Sequence, residues 1–438
     1  MKKSVLFLFF ILCYGQLFSQ VDSFAYYKNG TQEARAKFYT TIVKKSIQKN
    51  LALPLTFETE ENWETAFYAI QLVNYNPSLV INQINTAAKQ LNKQTVNFQY
   101  AFWTLCYKRF PLTYFTQAKK TIDTTANYKL MALAAEYILA NETKLNYAKN
   151  IFTKVESLVK KDTLLKLNPF LISLASNARF ALDFAKEIPQ QRALNLLKYI
   201  PDFLNSSYLP GNVIVFSFQR KDRNYSGIVL VRKHDGSFVL NEDGSYFNVP
   251  QLTRSINNLP TYLTSGNTPQ GVFRMSGFGK SKIEAIGATE NLQLTLPVET
   301  TKQHFFRDSS STNNEWKVDD YKKILPKNWQ KNLPLFQAYF AGLAGRNEII
   351  AHGTTVNPEF YKGETYYPLT PTEGCLCTKE LWSTVDGKRL ESDQQKLINA
   401  VKKAGGAQGY LIVIELEDVQ RPVMLKDVLP YLKQVKER

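Results

Sequence analysis

The chain has 438 residues, with 54 Lys and Arg against 38 Asp and Glu, and so a formal charge of +16. That length fits two or three domains. With 44% hydrophobic and 21% charged residues there is apolar surface for a real core, which excludes a disordered or low-complexity chain, and no collagen or coiled-coil pattern is present.

Lys2 and Lys3 precede an apolar run from Val5 to Tyr14, followed by the more polar Gly15 to Gln20. This layout predicts a secretory signal peptide over residues 1–19, cut near Ser19. The run is about ten residues, well short of the roughly twenty that a membrane span needs. The mature chain is therefore expected in the periplasm or cell envelope, not spanning the membrane. Cys13 follows the bulky Phe10, Ile11 and Leu12, where lipid attachment calls for a small residue. Cleavage leaves Cys106, Cys375 and Cys377, too few for a disulfide framework and odd in number, so at least one thiol is free or paired outside the chain. The positive charge suits an anionic envelope polymer or membrane surface, and equally a solvated lysine-rich surface.

Residues 20–205 carry a helical period. Leu145, Ala148, Phe152, Val155 and Val159 step by three and four and share one helix face. Similar runs follow Trp63, Phe98 and Lys129, punctuated by Asn76-Pro77, Phe110-Pro111, Asn168-Pro169 and Pro189. The spacing predicts an α-helical domain of stacked, solenoid-like hairpins, without a consensus repeat signature. Trp63, Phe67, Phe102 and Trp103 read as core, and Cys106 as a buried apolar thiol.

Past Gly211 the period becomes two, so residues 206–438 form the β-rich part of an α+β protein. Strands are predicted over residues 212–219, 227–232, 237–240, 348–351 and 410–416, with a helix from Asp393 to Lys403 ended by Gly405-Gly406. Asp235-Gly236 and Asp243-Gly244 are hairpin-turn signals. Gly277-Phe278-Gly279-Lys280-Ser281 lacks the spacing of a phosphate-binding loop, so no nucleotide cofactor is expected, and export argues against nucleic acid despite the basic charge.

Two segments of the second half carry chemistry: Ala351-His352-Gly353-Thr354 at the end of a predicted strand, and Thr372-Glu373-Gly374-Cys375-Leu376-Cys377 behind Pro368 and Pro371. A thiol attacks as thiolate, and an imidazole within hydrogen-bond reach supplies that form by taking the proton. His234 and His304, the other two of three histidines, lie in polar turn and loop contexts, which leaves His352 as the base. Gly353 and Gly374 permit close backbone approach, and amides around Cys375 can face a developing oxyanion. Cys375, Cys377 and His352 give only three metal ligands where a closed zinc site takes four, so no metal is expected. A Cys375–Cys377 disulfide would be strained.

Together with Thr268-Pro269-Gln270-Gly271-Val272-Phe273 upstream, these segments resemble the L,D-transpeptidase catalytic domain (the YkuD-like family). There a Thr-Pro-x-Gly-x-Phe strand start, a His-Gly-Thr-like segment and a Ser-His-Gly-Cys core follow in that order. The resemblance spans roughly residues 211–420 and leaves out the helical half. It implies Cys375 as nucleophile, His352 as base, the Gly353 carbonyl orienting the imidazole, and the amides of Glu373, Gly374 and Cys375 as oxyanion hole. It also implies substrate contacts from Thr372, Thr354, Tyr366 and Tyr367, the two tyrosines ending a long loop from Asn357 that either covers the acyl-enzyme or tucks onto the domain. Two departures stand out. Glu373 replaces the family's histidine, adding a negative group that tends to raise the thiol pKa, and Cys377 replaces an arginine or asparagine.

The implied activity is attack on the L-centre carbonyl of a peptidoglycan stem peptide, release of D-alanine and resolution of the thioester by a neighbouring amine. Water as acceptor would make an L,D-carboxypeptidase, and a decayed site a wall-binding scaffold; both remain open at this point, as does an envelope-protein partner for the helical half. A paired Cys375 is expected to alkylate faster at pH 7 than an ordinary thiol.

Overall fold

A computed structural model describes residues 25–141, 146–184, 196–308 and 315–436; the expected signal peptide and its cleavage point, Pro189 and most of the polar run after Arg307 lie outside them. The helical period becomes α1 (Gln32–Thr41), α2 (Glu60–Leu72), α3 (Ile81–Gln90), α4 (Val96–Arg109), α5 (Phe115–Thr124), α6 (Tyr128–Leu139), α7 (Asn146–Lys161) and α8 (Pro169–Phe184). Helix starts follow local chemistry: Thr95 Oγ1 accepts the Phe98 N–H at 3.3 Å and Asn127 Oδ1 the Leu130 N–H at 2.9 Å, each satisfying a first-turn donor that has no intrahelical partner. Helices α2, α4, α6 and α8 pack in a row, with α5 against α6 and α7 against α8. Trp63, Phe67, Phe102 and Trp103 are buried and meet edge to face within this row, so the aromatic stripe is core. Cys106 is buried beside them.

The second half is a mixed sheet of β1 (Val213–Gln219), β2 (Gly227–Arg232), β3 (Val249–Gln251), β4 (Gly271–Gly279), β5 (Asn291–Thr295), β6 (Ile350–His352), β7 (Leu376–Cys377) and β10 (Gly409–Glu415), in the order β3-β2-β1-β10-β4-β5-β6-β7, with β8 (Glu380–Trp382) and β9 (Arg389–Ser392) as a separate pair. β1 with β10 and β6 with β7 run parallel. Central β1 is buried along its whole length. Its Val213 and Val215 meet a core shared with the helix α13 (Asp393–Lys403), and Ile214, Phe216 and Phe218 meet a second core under α9 (Ile200–Leu204) and α14 (Leu425–Lys436). Between them lie the short helices α10 (Lys302–Phe306), α11 (Val318–Lys322) and α12 (Gln337–Leu343). Leu252, just past β3, exchanges two main-chain hydrogen bonds of 2.8 Å with Cys377, so the two edges of the sheet meet and curl it toward a barrel.

Two segments depart from the expected pattern. The predicted strand over 237–240 is reduced to the isolated bridges Arg232 to Phe238 and Leu240 to Tyr246, although Gly236 and Gly244 do take the positive φ of tight turns. Ile200, Phe203 and Leu204, which fall within the expected helical domain of residues 20–205, pack in the core of the sheet rather than in the helical row.

The halves also share a core. Leu259, Tyr262 and Leu263, from the segment between β3 and β4, are buried among the helices. There Glu136 Oε1 accepts from Tyr262 Oη and from Asn177 Nδ2, both at 2.7 Å. Burial pushes the Glu136 carboxyl up from the usual 4.5 to about 7, partly offset by those two bonds. A raised carboxyl pKa gives stability that is whole below pH 4.5 and is lost as pH rises through 7. Glu136→Gln is therefore expected to match the native protein at pH 4.5 in denaturant unfolding and to exceed it at pH 8 by on the order of 2–3 kcal/mol; equal stabilities at pH 8 would show that the carboxylate ionises there at no cost.

Candidate active site

Parallel pairing of β6 with β7 sets Ala351 opposite Leu376 and His352 opposite Cys377. Ala351 and Leu376 enter the core under α13, and side-chain alternation turns His352 and Cys377 to the other face. His352 is buried, and its Nδ1 lies 2.5 Å from the Gly353 carbonyl oxygen. That oxygen can only accept, so Nδ1 carries the proton and Nε2 is left as the basic nitrogen. Burial lowers the imidazole pKa to about 4, against a raising effect of the Gly353 bond, so it is neutral at pH 7. Gly353 has no room for a side chain: a Cβ there would stand 2.2 Å from the buried Glu380 carboxyl. Glu380 is held in turn by Thr289 and Ser392 hydroxyls at 2.5 Å, and Trp382 Nε1 donates to the Thr354 carbonyl at 2.7 Å. The β8–β9 pair thus clamps the His-Gly-Thr backbone.

Cys375 stands half-buried just before β7. Its sulfur lies 3.7 Å from the Glu348 carbonyl, and the nearby Ile350 main-chain N–H favours its thiolate. The thiol thus rests against β6 two residues before His352, and no hydrogen bond joins it to the imidazole among the described residues. Cys377, the register partner of His352, is fully buried between Thr370 and Thr378 with its thiol pushed up to about 12. Cys375 is the thiol a substrate can reach. Both, like Cys106, are free thiols in this structure, and among the described residues no three His, Cys, Asp or Glu side chains are grouped to hold a metal.

The turn that carries Cys375 is fixed by Thr372, whose hydroxyl donates to the Cys375 carbonyl at 2.9 Å and accepts the Gly374 N–H at 3.1 Å. This corrects the expected oxyanion hole: the Gly374 amide is engaged, leaving those of Glu373 and Cys375. Gly374 has φ +110°, and a Cβ on it would meet the Arg346 guanidinium at 2.4 Å. Thr268, from the upstream motif, donates to the Gly374 carbonyl at 3.0 Å, so the three separated motif segments do converge. Arg346 itself was not singled out by sequence. It is buried, donates to the carbonyls of Thr261, Gly266 and Asn267, and its charge favours the Cys375 thiolate. Its only signal was a cation between Gly345 and Asn347 ahead of the His strand.

Of the expected substrate contacts, Thr354 is buried and bonded within its own loop, with Val356 N–H and the Thr370 hydroxyl on its oxygen. Tyr366 is only 3% exposed, in a cluster with Leu252, Tyr361 and Leu369, so it packs the loop and does not face substrate. Tyr367, 40% exposed, does remain accessible. The loop from Asn357 to Tyr367 is pinned to the helices, with Arg35 donating to Asn357 at 3.1 Å, Phe360 against Phe38 and Tyr39, and Tyr361 Oη donating to the Leu72 carbonyl at 2.8 Å. Glu373 is likewise held from the helical side, by Tyr68 Oη at 2.6 Å, on the rim of a cleft of about 490 Å³ between α2, α4 and the 256–265 segment.

No protein-family model, no curated protein and no solved structure matches this chain.

Burial drives the Cys375 thiol up to about 11, with Ile350 N–H and Arg346 opposing and the carboxylates of Glu373 and Glu348 adding to the rise. The resting pair is therefore neutral thiol and neutral imidazole, and fast alkylation at pH 7 does not follow. Iodoacetamide labelling of Cys375, followed by peptide mass spectrometry, is expected to climb about tenfold per pH unit between pH 7 and 9.5; a plateau below pH 8 would mean a preformed thiolate.

Proposed function

We propose that the protein is a cysteine acyltransferase acting on peptidoglycan stem peptides. The observation that carries the chemistry is the His352 Nδ1 bond to the Gly353 carbonyl, which leaves Nε2 as the base on the strand against which the Cys375 sulfur rests. The stem-peptide substrate rests on the likeness to L,D-transpeptidases, with residues 206–438 as the catalytic domain and export as its setting.

The reaction follows from the neutral pair. As Cys375 Sγ attacks the L-centre carbonyl of the diamino acid joined to D-alanine, Nε2 takes the thiol proton, and the oxyanion is met by the amides of Glu373 and Cys375. Arg346, against Gly374, adds positive charge where negative charge develops. The imidazolium then gives its proton to the leaving D-alanine nitrogen, the C–N bond breaks and a thioester remains. A neighbouring amine, deprotonated by Nε2, displaces the sulfur to form the L,D cross-link. Because a buried imidazolium is disfavoured here, the proton stays on His352 only while the oxyanion balances it. The cleft beside Glu373 offers Lys129, Glu64 and Tyr100, a mixed set of donors and acceptors suited to a peptide bearing both amine and carboxylate groups. Contacts from Tyr68, Leu72 and Arg35 to the loops around Cys375 make the helical half a wall of this site.

Mass spectrometry of a disaccharide-tetrapeptide incubated with the protein and with Cys375→Ser tests the proposal. A cross-linked dimer lacking one D-alanine, absent with the variant, is the expected product. A tripeptide monomer would assign water as acceptor, and an unchanged tetrapeptide with folded, reduced protein would remove stem peptides as the substrate.

A further inference from the structure

The buried arginines of this fold give their guanidinium groups to fixed acceptors. Arg220 donates to the carbonyls of Glu417 and Arg421 and to Asp427, Arg223 to the Arg220 carbonyl and Glu415, and Arg232 to the carbonyls of Phe203, Asn205 and Tyr208. Arg346 donates to three carbonyls, as described above. Arg274 breaks the pattern. It lies in the middle of β4 and is only 2% exposed; its guanidinium makes no hydrogen bond or ion pair with any described residue, and among them its buried Nη2 has no partner. Its one contact of note is the Tyr410 ring on neighbouring β10, 4.7 Å from the guanidinium carbon. Stacking engages the face of a guanidinium and leaves its five edge N–H donors to be satisfied, and a buried charge with no counter-charge is costly.

What lies beside Arg274 explains its placement. A cavity of about 340 Å³ is lined by Arg274, Met275, Ser276, Gln303, His304 and Arg307. Two guanidinium groups and an imidazole border it, and among the described residues no carboxylate lines it. Arg307 stands in a left-handed turn ending α10, and among the described residues no acidic side chain pairs with it. The cavity is on the face of the sheet that α10 covers, and in strand order β5 and β6 separate β4 from β7, so it is not part of the Cys375 site.

We propose that this cavity is a binding site for a phosphoryl group, with Arg274 as the buried anchor and Arg307 and His304 closing on the anion from the rim. Paired guanidinium donors match the oxygens of a phosphoryl group through charge-assisted, bidentate hydrogen bonds.

Isothermal titration of the full chain with inorganic phosphate, against sodium acetate and sodium chloride at matched ionic strength, tests the site. Saturable binding of phosphate above both controls is expected, with Arg307→Gln weakening it at least tenfold and Arg274→Gln abolishing it. Arg307 is exposed, so Arg307→Gln decides the matter if Arg274→Gln does not fold. No saturable phosphate binding, equal binding by Arg307→Gln, or acetate binding as tightly as phosphate would each overturn the proposal.

Discussion

Two residue pairs hold the candidate site together: Ala351 with Leu376 and His352 with Cys377, in a parallel ladder between two very short strands. A parallel pair of this length has little strength of its own. It persists because Ala351 and Leu376 are sealed into the core under α13 and because Leu252 grips Cys377 from the other side with two main-chain bonds. The closure of the sheet and the placement of the thiol are thus one event. Shifting either strand by one residue would turn His352 into the core and Ala351 out of it, so the apolar packing fixes the register on which the chemistry depends.

Electrostatics around that ladder favour a quiet resting state. Burial acts on both partners in the same sense, depressing the imidazole and raising the thiol, so neither carries charge at rest at pH 7. Arg346 and the Ile350 N–H are the counterweights that keep a thiolate attainable, and Glu373, where the resembled family has histidine, works against them. Tyr68 ties that carboxylate to the helical half. The helical half is consequently part of the active-site architecture in the proposed reaction, and the segment carrying Leu259, Tyr262 and Leu263 could not keep its packing without the helices it enters.

Much of the coarse plan was legible in the sequence, because period and turn chemistry are local. β1, β2, β10 and α13 lie where alternation, glycines and amphipathic spacing put them, and His352, Gly353 and Cys375 could be singled out because they sit in short contiguous motifs. What escaped was set by distant partners. Nothing near Arg346 announces that it will lie against Gly374, nothing near Tyr68 that it will hold Glu373, and nothing near Glu380 that its carboxyl will wall in Gly353. Tyr366 reads as a loop aromatic free to meet substrate and is instead packed against Tyr361, under the guanidinium of Arg254. The Thr372 hydroxyl occupies the Gly374 amide and so leaves the expected oxyanion hole two donors at most. Ile200 to Leu204 fall within the expected helical domain, and only the sheet against which they pack shows that Ile200, Phe203 and Leu204 share its core.

The most direct test of the central claim is the intact-protein mass after exposure to a carbapenem, a strained acyl donor suited to a cysteine acyltransferase of the resembled kind. The account predicts a single covalent adduct that maps to Cys375, is absent in Cys375→Ser, and forms far more slowly in His352→Gln. An unmodified protein, an adduct on Cys377 or Cys106, or equal rates with and without the imidazole would contradict it.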